Sequence, residues 1–196
     1  MMLLRVGVTA ALAFGLAACT PKPPIPAAAD IQAARQAAQA LDIRFRTEIL
    51  DRLEREDASA IYMAYRDHAG AFAREASEKS HLDIRRVGLR VRNPANAADD
   101  WEAEQLEKFD YLVNAGYDIN VLEASAVVTE NKQKWFRWIK PMPVGETCVV
   151  CHGEDIPAEI LKRLKQDYPE DNATGYLPSE MRGAYSVRRK LDDAKR

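Results

Sequence analysis

The stretch that decides the fold is Ala124-Ser125-Ala126-Val127-Val128-Thr129-Glu130-Asn131-Lys132-Gln133-Lys134-Trp135-Phe136-Arg137-Trp138-Ile139-Lys140. β-Branched and aromatic residues crowd both halves, and Glu130-Asn131-Lys132 supplies turn chemistry between them. Strands are predicted over Ala124–Thr129 and Lys134–Lys140, with Pro141 and Pro143 closing the second. Upstream, Val87, Leu89 and Val91 alternate with Arg86, Gly88, Arg90 and Arg92, the period of a strand with one wet face. Asn93-Pro94-Ala95-Asn96 then turns the chain. Downstream, Gly183–Arg188 reads as the last strand.

Helices surround these strands. Ile31, Ala34, Ala38, Leu41, Phe45, Ile49 and Leu53 recur every three or four residues, which is one apolar helical stripe. A break is expected near Glu56-Asp57. A second stripe follows through Ile61, Tyr65, His68, Phe72 and Ala76. A further helix is expected from about Asp99 to Asn114, ended by Gly116, and a short one from Pro157 to about Asp167. The element order predicts an α+β domain: an antiparallel sheet with flanking helices and a long N-terminal helical region.

The N-terminus has another character. Arg5, the apolar run Val6–Leu16 and Leu16-Ala17-Ala18-Cys19 describe a secretory signal over residues 1–18. The apolar run is too short to span a bilayer, which takes about 20 residues. Small residues meeting a cysteine at its end resemble a bacterial lipobox, which marks Cys19 for lipidation and predicts an exported chain anchored to a bacterial membrane and facing the periplasm. Residues 19–29 carry four prolines between Pro21 and Pro26 and read as an extended tether. Residues 30–190 form a single domain and 191–196 a solvated tail. With 28 basic and 30 acidic residues the net charge is −2, which gives nucleic-acid binding no electrostatic footprint.

Three cysteines are present, and each has a candidate role: Cys19 at the lipobox, and Cys148 and Cys151 in Cys148-Val149-Val150-Cys151-His152. Cys-x-x-Cys-His is the spacing of c-type haem attachment. Two thiols add to the porphyrin vinyl groups as thioethers, and the adjacent imidazole of His152 reaches the iron. A redox dithiol would be fed by a strand running into a helix, whereas Pro143-Val144-Gly145-Glu146-Thr147 precedes Cys148. A zinc site needs four ligands, and His68 and His81 lack the usual spacing. One covalent haem c is therefore the expected cofactor.

The second axial position is open at this stage. His68 shares the stripe with Tyr65 and Phe72 and is the first candidate; Tyr65, Met142 and Met181 are weaker ones, and a vacant or water-filled position is a further alternative. Met63 is expected to point elsewhere and His81 to be exposed. Arg86, Arg90 and Arg92 fit either haem propionates or a solvated strand face. Trp135, Phe136, Trp138 and Tyr176 read as core or as haem wall.

Several separate motifs occur in one order: Arg85-Arg86, Arg92-Asn93-Pro94-Ala95-Asn96, Trp101-Glu102, Phe136-Arg137-Trp138-Ile139-Lys140-Pro141, Cys148–Gly153, Tyr168-Pro169-Glu170-Asp171-Asn172-Ala173-Thr174-Gly175-Tyr176 and Arg182-Gly183-Ala184-Tyr185-Ser186-Val187. In them the chain resembles a c-type-haem family catalogued as a domain of unknown function, which also occurs as the sensory part of bacterial signalling proteins. That resemblance implies a PAS-like sheet with haem held against it. Many members carry a cysteine where Tyr65 stands, so their distal ligand has no counterpart here, and His68, one turn on, is the first substitute.

Two functions follow as expectations. One is a lipid-anchored monohaem cytochrome that transfers electrons with a protein partner. The other is a haem-based redox or gas sensor, or ligand-binding module, working with a partner. A third, a haem enzyme such as a peroxidase, requires an open distal side and acid–base groups, and no catalytic constellation is evident.

Overall fold

The computed structural model describes residues 24–53, 55 and 57–192. The signal segment and Cys19 lie outside the described residues, as do the first part of the tether and the last four residues of the tail.

Two helices come first, α1 (Ala28–Leu53) and α2 (Ala58–Ser80). Asp57 starts α2 as a cap, its side chain accepting from the Ala60 amide at 2.8 Å. Four strands follow with helices between them. β1 spans Asp83–Val87, α3 Asp100–Asn114, β2 Ala124–Glu130 and β3 Gln133–Pro143. α4 is a single turn at Val149–His152, α5 covers Ala158–Asp167 and β4 covers Met181–Leu191. The sheet order is β1-β4-β3-β2, antiparallel throughout. Among the described residues no helix is long and apolar enough to cross a membrane.

The β2–β3 hairpin forms where the sequence places it. Glu130 pairs with Gln133, and Asn131 and Lys132 both take positive φ (51° and 65°). That conformation matches a two-residue turn to the right-handed twist of its strands. Strand alternation then sends Phe136 and Trp138 to one face and Arg137 and Ile139 to the other. On the first face Phe136, Trp138, Tyr185 and Val187 pack under Ala34, Ala38, Leu41 and Phe45 of α1 and Phe72 of α2. On the second, Ile139 and Ala184 meet Leu106 and Phe109 of α3. Phe136 and Trp138 are thus core.

The second face also buries an ionic group. Arg137 donates to Asp99 at 2.6 Å and Glu130 at 3.0 Å, lies 3.2 Å from Glu102, and is 4.7 Å under the Trp101 ring. Asp99 and Glu102 also form a reciprocal capping box at the start of α3. Burial pushes the Asp99 carboxyl up, but Arg137 and the Glu102 amide outweigh it and hold the group below its ordinary value.

One expected strand is displaced. β1 ends at Val87 rather than running through Val91. Gly88 bonds to Asn96 and forms an isolated bridge with Ala97, which pulls the chain off the sheet edge. Leu89 is left 47% exposed. Of the Val87-Leu89-Val91 alternation only Val87 is strand; Leu89 and Val91 belong to a loop with its own partners. β4, conversely, is longer at both ends than the Gly183–Arg188 expected.

Because Asp99 gains its cationic partner Arg137 only in the folded state, the stability it contributes is full above about pH 4, the unfolded carboxylate value, and is lost as pH falls through the lower folded value. Asp99→Asn keeps the cap and removes the charge. Urea titrations should show the variant less stable at neutral pH, with the difference closing below about pH 4.

Candidate functional site

After β3 the chain is tied to the approach of β4: the Val144 amide donates to Glu180 O and the Ser179 amide to Val144 O, both at 2.8 Å. A turn at Gly145 accepts the Cys148 amide at 2.9 Å and starts α4. One helical turn places Cys148 and Cys151 three apart, hence on one side. The His152 amide bonds back to Cys148 O at 3.0 Å and the Gly153 amide to Val149 O at 2.8 Å. Glycine is required at 153, because a Cβ there would stand 2.6 Å from Val149 O.

A second segment, Asp171–Tyr176, is laid against this turn. The Gly175 amide donates to Gly153 O and the Tyr176 amide to His152 O, both at 2.9 Å. His152 Nδ1 lies 2.6 Å from Ala173 O, and since a carbonyl only accepts, Nδ1 carries the proton. Nε2 is thereby left as the lone-pair nitrogen, the tautomer a metal requires. The Tyr176 ring meets the imidazole edge-to-face at 6.5 Å. Burial first, then the nearby Arg182 and Arg92 cations, push the His152 pKa well below its ordinary value, so the ring is neutral at physiological pH.

Two arginines from the loop after β1 hold that segment. Arg92 donates from Nε to Asp171 at 2.8 Å and from Nη2 to Cys151 O at 2.6 Å. Asp171 passes the constraint on by accepting the Ala173 amide at 2.8 Å. Arg90 donates to Asn172 O at 3.0 Å and to Thr174 O, with its guanidinium 4.2 Å over Tyr176. Neither forms a solvated strand face. Their donors are spent on the protein's own loop.

Cys148 and Cys151 are unpaired, half-buried thiols. Cys148 and Val149 pack on Val144, Ala173 and Tyr176. Cys151 and Val150 pack with Tyr62 and Met63 of α2 and Ile160 and Leu164 of α5. Met63, expected to point elsewhere, packs on the same cluster of Tyr62, Ile160 and Leu164. Burial pushes the Cys151 thiol up, the opposite of what an attacking redox thiol needs. Among the described residues no three His, Cys, Asp or Glu side chains gather to hold a metal ion.

The structure does not bring His68 into this group. It is exposed on α2, its ring 6.1 Å from Phe72. Tyr65 is half-buried, and its hydroxyl accepts from Arg86 Nη1. Met181 packs on the α3 face and Met142 on the α1 face of the sheet. His81 is exposed at the end of α2. Arg182 opens one of the motifs of the resemblance, but sequence reasoning gave it no role of its own; only its packing reveals one.

Together, two nearby thiols and a neutral imidazole presenting Nε2 form a donor set that fits an iron porphyrin bound through two thioethers. The bidentate Arg92 and its buried partner, 12% and 8% exposed as side chains, are the lock on that geometry. Arg92→Gln leaves Asp171 without its cation and should cost about 3–5 kcal/mol in chemical unfolding.

A family model described as Tll0287-like, Tll0287, matches residues 27–189. A solved structure, the crystal structure of the cyanobacterial heme-protein Tll0287, is similar over 85% of this chain and 96% of that one, at 21% identity and a TM-score of 0.56. At that identity it supports the fold: N-terminal helices and a four-stranded antiparallel sheet with helices. A comparison with curated proteins gives no match.

Proposed function

This chain belongs to the Tll0287-like family, and from that premise we propose that it is an exported, lipid-anchored monohaem c-type cytochrome working in electron transfer. The observation that carries the reading is the His152 imidazole, neutral, bonded through Nδ1 to Ala173 O and seated one residue after a Cys-x-x-Cys turn. The solved relative's description as a heme-protein supports the same cofactor. Cys148 and Cys151 would hold the haem as thioethers and His152 Nε2 would ligate the iron. When bound, haem supplies a one-electron ferric/ferrous couple.

The protein's own groups do the rest. Ala173 O orients the imidazole and raises its basicity through the Nδ1 proton. Val144, Val149, Val150 and Tyr62 give the two half-buried thiols apolar surroundings. Cys19 would carry the lipid, and residues 19–29 would hold the domain away from the membrane. An unidentified redox protein would be its partner.

For the sixth iron position His68 was the sequence candidate, yet its exposed ring would have to leave Phe72 to reach the site. Tyr65 is the better-placed group of α2, being half-buried with its hydroxyl against Arg86. The exposed His68 also favours a second reading, a ligand-binding or redox-sensing module, because an iron without a strong second ligand accepts small molecules.

These readings separate by experiment. Protein made in a host competent in cytochrome maturation should keep its pigment through acid–acetone extraction, and Cys148→Ser with Cys151→Ser should lose it; free release from the wild type would sink the covalent claim. His68→Ala should leave the visible spectrum unchanged and Tyr65→Phe should alter it. Slow or absent carbon monoxide binding by the ferrous protein supports electron transfer, whereas a rapid adduct supports the sensor. Cys19→Ala should abolish lipid mass and membrane retention.

A further inference from the structure

Two arginines beside the attachment turn have no acid to pair with. Arg182 stands where the chain enters β4, next to Gly183, at which any side chain would run into the Val87 carbonyl. That close approach pins its backbone against β1. Its Nη1 donates to Arg90 O at 3.0 Å, and its guanidinium sits 5.5 Å from the Tyr176 ring. Its Nε is buried and has no hydrogen-bond partner among the described residues. Arg86 lies between aromatic rings, 4.0 Å over Phe45 and 5.1 Å over Tyr65, and donates only to the Tyr65 hydroxyl.

Among the described residues no carboxylate comes within ion-pair reach of either group. Arg92, Arg137, Arg188 and Arg189 each have an acidic partner within 4 Å. A buried guanidinium with an idle donor is costly unless an anion completes it. The Tyr176 ring that Arg182 faces meets the His152 imidazole edge-to-face at 6.5 Å, and the Tyr176 amide donates to His152 O at 2.9 Å, which ties Arg182 to the imidazole. Arg86 stands on the neighbouring strand, β1, paired with β4.

We propose that Arg182, with Arg86 beside it, is the receptor for a haem propionate carboxylate. This rests on the haem reading above and adds to it the residue that fixes the polar edge of the porphyrin. Arg90 and Arg92, the other arginines of the region, are excluded by the carbonyls and the carboxylate that they already hold. Arg182 is a positioning residue. It offers Nε and Nη2 to one carboxylate in the forked geometry that carboxylates accept, and its charge offsets that of the propionate beside the iron.

The test is redox titration of the full chain with haem attached, comparing wild type, Arg182→Gln, Arg182→Lys, Arg86→Gln and the exposed control Arg163→Gln. An uncompensated propionate favours ferric iron. Arg182→Gln should therefore raise the ferric-to-ferrous ratio at fixed solution potential by roughly tenfold, equivalent to a fall of about 59 mV for one electron. Arg182→Lys should recover most of it, Arg86→Gln should move the ratio in the same direction by less, and Arg163→Gln should change it less than about twofold through solvent screening. No shift in Arg182→Gln beyond that of Arg163→Gln would overturn the assignment. If Arg182→Gln fails to fold, Arg86→Gln decides it, since no shift there beyond that of the control overturns the assignment equally. Excess acetate should leave the wild-type ratio unchanged; a dependence on acetate would give the site to a free anion and reject the propionate. Haem absent from denatured wild type would instead remove the underlying cofactor reading, a separate result.

Discussion

The hydrogen bond from His152 Nδ1 to the Ala173 carbonyl is the constraint on which the site depends. It selects the tautomer, sets the plane of the ring and leaves a lone pair on Nε2. One bond of this kind would contribute little alone, about 1 kcal/mol net. It is held in place by others: the amides of Gly175 and Tyr176 on the backbone after Cys151, Asp171 on the Ala173 amide, and Arg92 on both Asp171 and Cys151 O. Arg92 links the attachment turn to the opposing segment through two bonds from one rigid group. A lysine could not make both, because its ammonium lacks the planar fork.

The larger fold exists to hold these two short segments at a fixed separation. β3 delivers the chain to Val144, and β4 begins just beyond Tyr176, so the attachment turn and its partner segment are both rooted in the central strand pair. Phe136 and Trp138 anchor that pair under α1, and Leu106 and Phe109 close the other face. α2 bridges the two regions. Its Phe72 belongs to the sheet core, while Tyr62 reaches the cluster containing Val150 and Cys151, and its hydroxyl donates to Asp167 at the end of α5.

Legibility in the sequence followed the range of the interactions involved. The β2–β3 hairpin, α1, α3 and α5 were readable because each rests on a local period or a local turn. The Cys-x-x-Cys-His motif stood out because its thiols and imidazole lie within five consecutive residues. The strand expected through Val91 failed where a nonlocal bond, Gly88 to Asn96, overrode an alternating pattern. His68 sat in a helical stripe, and a stripe alone cannot say how far round the helix burial extends. The packing of Met63 onto the Cys151 cluster marks that same limit. Arg90 and Arg92 looked like one face of a strand because their partners, Asp171 to Thr174, lie about eighty positions away. Arg182 was silent for the same reason: an orphaned donor is defined by what surrounds it in space.

The account turns on whether two sulfurs and a porphyrin are one molecule. Peptide mass spectrometry across Cys148–His152, after alkylation of the denatured chain from a maturation-competent host, measures this most directly. One haem adduct with neither thiol alkylated is the result the account predicts. Two alkylated thiols and no adduct would contradict it.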